Sequence, residues 1–462
     1  MDPERNVPKR SQFWFTQSYS DDTDYKIFGL ITVVCSILLA IFGFILFSPI
    51  VSQINFEEAF VTPLAPYLIK IFEYGGFEAN VTIRFLFLVS FMASAIGVYL
   101  FARELTRRQI TPILASILYL IPPVPIFIFS FYKSDLYVSE IESAKSFLTI
   151  IYGDGAHFLA LAILPFAAIF FIRFLRLGLN SDLVIAVVLC ALILLANSFQ
   201  ALILIIILTV LTITELFIDQ NRSKIKRYLK VVFLSLTLVA YWYTPEFWVN
   251  SFKDFLQFFV QNLKSIFPLP LIIGIIGLLF SFVFFARKLE RQSIFISFLL
   301  FFIFLSLAVS WLIGEKAFIP HPHRLLPLVN MFGSLVVALT FTAVLDKLQI
   351  VERLKLESYP VWAKAIWAVL FGAISFIGFT LIMNILSPII IELVSGENGL
   401  WTKVRLTVAA ERMGVIGRAG GNFQLTDTRG PMWQHLLGYL ISLLTIVVLI
   451  NLLFRHKNHI AK

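Results

Sequence analysis

Charge is scarce in this chain. Asp, Glu, Lys and Arg make up 14% of its 462 residues, against 59% hydrophobic, whereas in soluble domains about a quarter of residues are charged. Cysteine is scarcer still. Cys35 and Cys190 are the two in the sequence, each inside an apolar run, so no disulfide framework or cysteine metal site is implied and both read as small core residues. Soluble motifs are missing too. The chain holds no GxxxxGKS/T, no GxGxxG after a strand, no HExxH and no CxxC, which removes a P-loop ATPase engine and a zincin centre. The net charge of +9 is spread over short connectors rather than gathered on one face, so no nucleic-acid partner is expected. A polar stretch, 1–26, precedes the first apolar run, an order unlike that of a cleaved signal peptide.

What the chain has instead is apolar runs of about 20 residues, the length of helix that crosses a bilayer core roughly 30 Å thick. The cleanest are Ile27–Ile50, Leu183–Ala196, Leu269–Ala286, Ile294–Ile313, Leu325–Leu345 and Leu436–Phe454. Backbone polar groups at that depth must be paired internally, which favours helices. The expected fold is therefore all-α, a polytopic membrane helical bundle of about twelve transmembrane helices. The expected spans are 27–50, 81–102, 112–131, 156–175, 183–198, 200–218, 229–245, 268–286, 294–313, 325–345, 365–391 and 432–454. They form a single transmembrane domain, 27–454, between tails 1–26 and 455–462. The tight turn Asn197-Ser198-Phe199-Gln200 leaves open whether 183–218 is two spans or one long buried helix.

An even span number puts both termini on one side. That side then takes the connectors holding Arg103, Arg107 and Arg108, Arg173 and Arg176, Arg222 to Lys230, Arg287 to Arg291, and Lys347 to Lys364. With the tails it collects 24 of the 37 Lys and Arg, against 13 opposite, while acidic residues divide 13 to 15. Lys and Arg in short loops set orientation, and Asp and Glu contribute little. The expectation is a multi-pass plasma-membrane protein with cytoplasmic termini and outside connectors 51–80, 132–155, 246–267, 314–324 and 392–431. Prolines Pro122, Pro123 and Pro125 predict a kinked third span that lines a cavity, since the freed carbonyls need protein or water around them.

The candidate site residues lie where polar groups interrupt the outside ends. Glu57 and Glu58 precede a stretch, Tyr67–Tyr74, that reads as a short helix on the membrane surface. They are either solvated loop charges or a general base or metal-binding pair, with Glu58 favoured. Asp154 lies in Gly153-Asp154-Gly155-Ala156-His157. It is a helix N-cap, a surface carboxylate with His157 one turn on, or both. His321, His323 and Arg324 stand at the mouth of the tenth span. Pro320 and Pro322 predict an extended stretch there rather than a helix face. Arg324 is a snorkelling anchor or a phosphate-binding fork, and two histidines alone do not make a metal site. Trp242 belongs to an aromatic cluster, Tyr241–Trp248, that reads as an interfacial belt or as a stacking platform for a sugar ring. No pair of charges stands out at mid-bilayer, which weighs against an ion-coupled transporter.

The first-loop acids, the surface helix after them, Gly153-Asp154-Gly155-Ala156-His157 opening a span and Pro322-His323-Arg324 opening a late one together resemble the GT-C type membrane glycosyltransferases. The closer likeness is to bacterial and archaeal membrane proteins labelled 6-pyruvoyl-tetrahydropterin synthase-related, a label that carries no pterin chemistry. The resemblance implies inverting transfer of a sugar from a polyprenyl-phosphate donor to a glycan or protein acceptor at the outer face of the cell envelope. Glu57 or Glu58 would be the first-loop acid, Asp154 the second, and Arg324 the arginine near the lipid phosphate. A divalent metal, Mg or Mn, would be held by Asp154 and Glu58. The first loop carries Glu-Glu where such enzymes commonly have an Asp-containing pair. Rival readings are a transporter or flippase for a lipid-linked substrate, and a non-catalytic scaffold of envelope-polymer assembly.

Overall fold

The computed structural model describes residues 62–106, 110–120, 155–219, 221–267, 269–283, 289–313, 322–347 and 431–460, with Val34, Pro360, Ala363 and Ile366 besides. Among the described residues the protein is helical, with no strand. The helices are α1 (Leu64–Tyr74), α2 (Ala79–Thr106), α3 (Ile110–Leu120), α4 (Gly155–Leu177), α5 (Asn180–Ala196), α6 (Gln200–Asp219), α7 (Ser223–Leu238), α8 (Pro245–Gln261), α9 (Leu269–Val283), α10 (Leu289–Ile313), α11 (Leu326–Lys347) and α12 (Met432–Ile460), with short 3-10 turns at Leu263–Ile266 and Pro322–Leu325. Four segments, Val81–Thr106, Ala156–Leu177, Gln200–Phe217 and Met432–Phe454, are long and apolar enough to cross a membrane. Four shorter apolar helices of 10–17 residues accompany them, Asn180–Ala196, Pro270–Val283, Gln292–Ala308 and Pro327–Ala343. The expected spans 27–50 and 365–391 and the prolines of the third span lie outside the described residues, apart from Val34 and Ile366.

Two expectations about connectors are settled here. Residues 183–218 form two helices, because Asn197 is extended (φ −156°, ψ 120°) and closes α5. Its Oδ1 accepts from the Phe199 N–H at 3.0 Å, an Asx turn that starts the chain back on itself. The stretch 246–267, expected as a connector, is mostly the helix α8. Thr244 caps it by accepting from the Phe247 N–H, and Pro245 takes the first helical position, where its missing N–H costs nothing.

Polar contacts sort the helix termini into two ends. At the first, which we term the basic end, Arg173 near the C-terminus of α4 meets Glu104 near that of α2, at 3.2 Å. There Thr111 opening α3 meets Thr342 late in α11 at 3.1 Å. Asn180 opening α5 donates to the Leu452 carbonyl late in α12, and Ser293 early in α10 donates to the Leu105 carbonyl. At the other, the histidine end, His157 opening α4 meets the Arg324 carbonyl just before α11 at 2.9 Å. The Gln434 side chain in α12 accepts from the Glu246 N–H of α8.

Small residues allow the close packing between these ends. Ala95, Ala102, Ala160, Ala162, Ala167, Ala168, Ala186 and Ala191 are all buried, as befits helix contacts that rely on backbone approach. Pro165 lies inside α4, and a Cβ on Gly97 of α2 would stand 3.0 Å from the Pro165 Cβ. A bulkier residue at 97 would therefore push the two helices apart. Gly178 ends α4 at φ +71°, a left-handed value that suits glycine. Its N–H bonds the Phe174 carbonyl at 2.9 Å. The Arg227 guanidinium packs over it and donates to the Leu175 carbonyl at 2.6 Å. Arginine near a helix C-terminus satisfies orphan carbonyls and the negative end of the dipole together.

Candidate functional site

The histidine end is assembled around the entrance of α4, the turn at 197–200 and the turn just before α11. His157 is one turn into α4 and buried. Its Nε2 lies 2.9 Å from the Arg324 carbonyl, and the Gln200 Nε2 lies 3.0 Å from its Nδ1. A carbonyl only accepts, so Nε2–H donates to it, and the Gln200 amide is the hydrogen-bond partner of Nδ1. The imidazole thus acts as a brace, joining the entrance of α4, the start of α6 and the chain just before α11. The Phe199 ring completes the group, 6.4 Å from the imidazole and 5.9 Å from the Arg324 guanidinium carbon, within the reach of a cation–π contact.

A second set of bonds ties down the C-terminus of α5. Its last four carbonyls have no partner within the helix. The Ala196 carbonyl accepts from the Thr62 hydroxyl at 2.7 Å and the Leu194 carbonyl from the buried Tyr243 hydroxyl at 2.7 Å. The Ile193 carbonyl accepts from the Asn197 N–H. Thr62 is the link to the first-loop acids. Glu57 and Glu58 lie outside the described residues, and four residues of extended chain reach at most about 14 Å, which bounds the distance from Thr62 to Glu58. Asp154 also lies outside them, one residue before the start of α4. His321 is outside as well.

The extended conformation expected at His323 is corrected. His323 and Arg324 sit in a 3-10 turn, Pro322–Leu325, that runs into α11. Proline is tolerated at the first position of such a turn because its absent N–H would have had no partner there. The short helix expected over Tyr67–Tyr74 is present as α1, with Tyr67, Ile71 and Tyr74 exposed. Trp242 packs edge-on against Tyr67 at 6.3 Å, in a cluster continued by Tyr243, Phe247 and Trp248. Tyr241 faces Tyr439 of α12 at 5.8 Å. Searches against protein-family models, curated proteins and solved structures returned no match to this chain.

Among the described residues no three His, Cys, Asp or Glu side chains gather into a metal-binding group. Both nitrogens of His157 are engaged by protein atoms, and Arg324 is a cation, so neither fits a divalent ion. A metal would need Glu57, Glu58 and Asp154, and the described residues do not supply a site for it.

Sequence reasoning missed two things. Gln200 was read as part of a turn, although a glutamine opening an apolar helix is a polar group in need of a partner. The larger omission is a buried charge network at the basic end. Glu215 accepts from Arg176 at 2.8 Å, from Lys224 at 3.1 Å and from Gln292 at 2.8 Å. Glu104 pairs with Arg173 at 3.2 Å and stands 3.8 Å from Arg176. By sequence alone these basic residues read as connector charges. The signal for their burial was Glu104 and Glu215, two acids each near the close of an apolar run.

Proposed function

We propose that the chain is an integral membrane glycosyltransferase of GT-C type that transfers a sugar from a polyprenyl-phosphate donor to an acceptor at the outer face of the plasma membrane. In this reading the bundle has about twelve spans, the basic end lies at the cytoplasm with both termini, and the histidine end faces out. The observation that carries it is the His157 brace. One imidazole joins the α4 entrance, one residue after Asp154, to the backbone of Arg324, while Thr62 anchors the first loop to the neighbouring end of α5. Thr62, His157 and Arg324, far apart in sequence, thereby lie at one end of the molecule, and the candidate acids Glu58 and Asp154 are near neighbours in sequence of the first two.

The chemistry follows from the residue types. A carboxylate, Glu58 or Asp154, takes the proton of the acceptor hydroxyl. The oxygen attacks the anomeric carbon from the face opposite the leaving group, and the bond from that carbon to the phosphate oxygen breaks. The polyprenyl phosphate leaves with the bonding pair, and the Arg324 guanidinium stabilises the charge that develops on it. Inversion at the anomeric carbon results. Trp242 offers an aromatic edge beside α1, and His157 holds rather than transfers a proton. The lipid tail stays in hydrocarbon while its phosphate sits at the surface, which is where a cation at the mouth of a helix is useful.

The test uses purified full-length protein in lipid nanodiscs with a radiolabelled polyprenyl-phosphate sugar and membrane glycan acceptors. Asp154→Asn, Glu58→Gln and Arg324→Gln are each expected to lower transfer by about 10²-fold or more, with unchanged thermal unfolding. Loss of lipid movement with product unchanged would select a flippase instead. Wild-type behaviour of all three variants in both assays would remove the enzymatic reading and leave a scaffold.

A further inference from the structure

Helix α7 breaks a local rule. Its first two turns and the residue before them hold Arg222, Lys224, Lys226, Arg227 and Lys230, at the terminus where the helix dipole disfavours cations. Asn221 starts the helix by accepting from the Ser223 N–H at 3.0 Å, so the arrangement is firm. Two of the five cations have structural partners. Lys224 is buried on Glu215, and Arg227 caps α4. The side chains of the other three, Arg222, Lys226 and Lys230, form no ion pair or hydrogen bond among the described residues, and all three are exposed. They recur every four residues and so lie on one stripe of the helix, spanning about 12 Å along its axis.

A second stripe runs beside the first. Ile225, Leu229, Phe233 and Leu236 are exposed at 43%, 56%, 65% and 38%, while Val231, Leu234 and Ser235 on the opposite side are buried in the bundle. The cations occupy the end of α7 that belongs to the basic end, and the apolar stripe continues past them toward the other. A surface that is cationic at one level and apolar at the next matches one occupant, a lipid whose anionic headgroup sits above its acyl chains. A soluble anion would leave the apolar stripe uncovered. Among the described side chains, the acids near this end, Glu215 and Glu104, are engaged by Arg176, Lys224 and Arg173.

We infer that the outer face of α7 binds anionic phospholipid, with Arg222, Lys226 and Lys230 on the headgroup phosphates and Leu229, Phe233 and Leu236 along the acyl chains. The site is at the opposite end from His157 and takes a bulk lipid of that leaflet, not the sugar donor. The inference rests on the membrane part of the proposed function and is independent of sugar transfer.

The experiment reconstitutes full-length protein in nanodiscs doped with photoactivatable phosphatidylglycerol or phosphatidylcholine, followed by peptide mapping of the adducts. Labelling of 222–236 by the phosphatidylglycerol probe is expected, competed by unlabelled phosphatidylglycerol and not by phosphatidylcholine. The combined variant Arg222→Gln, Lys226→Gln, Lys230→Gln should weaken it by about 100-fold, since each such cation near an anionic surface multiplies affinity by roughly five. The charge-keeping variant Arg222→Lys, Lys226→Arg, Lys230→Arg should retain it. Equal labelling by both probes, labelling unmoved by loss of the three charges, or displacement by inorganic phosphate at matched concentration would overturn the inference. Alkaline carbonate washing of cell membranes keeps the two questions apart. Protein released by it contradicts the membrane placement itself, whereas protein retained without headgroup preference contradicts only this site.

Discussion

At the basic end six charged side chains from four helices, Glu104, Arg173, Arg176, Glu215, Lys224 and Arg227, are tied to one another or to helix carbonyls. At the histidine end the same layer of helices is joined by neutral donors, with one imidazole, one primary amide and two hydroxyls on backbone carbonyls. The contrast separates two kinds of work. Buried charges fix geometry strongly, but each is committed to a partner and has little left for a ligand. Neutral bonds to backbone hold the chain entrances in place without spending a charge on structure.

The comparison breaks most visibly at Glu215. Glu215→Leu leaves the buried Lys224 without its acid and Arg176 with only the more distant Glu104, and a loss of about 3–5 kcal/mol is expected, read as a large drop in the thermal unfolding midpoint in detergent. Adding Lys224→Met should recover part of it, because one of the stranded charges is then gone. A smaller effect is expected at the close of α4. Gly178→Ala places a side chain at φ +71° against the Arg227 guanidinium, for about 1–2 kcal/mol. At the neutral end Tyr243→Phe removes a single hydroxyl from the Leu194 carbonyl, and about 1 kcal/mol is expected. The smallest change belongs to the exposed stripe of α7. Lys226→Gln should stay within about 0.5 kcal/mol of wild type, while adding to the loss of phosphatidylglycerol labelling. Equal destabilisation by Glu215→Leu and Tyr243→Phe would erase the distinction between the ends.

Much of the helical layout was legible from the residues alone. The runs 156–175, 183–198, 200–218 and 432–454 correspond to α4, α5, α6 and α12, because uninterrupted apolar sequence of that length has few alternatives. The short helix before α2 was legible as well, from Tyr67–Tyr74 following two prolines. α8 was not, since its polar and apolar residues mix without a clean run and its start is decided by Thr244 and Pro245, a capping signal that was passed over. Of the site, Arg324 and His157 were picked out, and the bond between them was invisible because it spans 167 residues and uses a backbone carbonyl. The Glu215 network was hidden for a related reason. A cation in a short connector reads as solvated until the acid it meets, on another helix, is known to be beside it.

The central claim is that the first loop, the α4 entrance and the turn before α11 meet at one end, with Glu58, Asp154 and Arg324 facing a common hollow. The most direct measurement is cysteine cross-linking in intact membranes with a short bifunctional thiol reagent, in a background of Cys35→Ala and Cys190→Ala. Thr62→Cys with Ala196→Cys serves as the positive control. The pairs Glu58→Cys with Arg324→Cys, and Asp154→Cys with Arg324→Cys, are predicted to link as readily as the control. A control that links while both pairs stay open would contradict the shared hollow and, with it, the sugar-transfer reading.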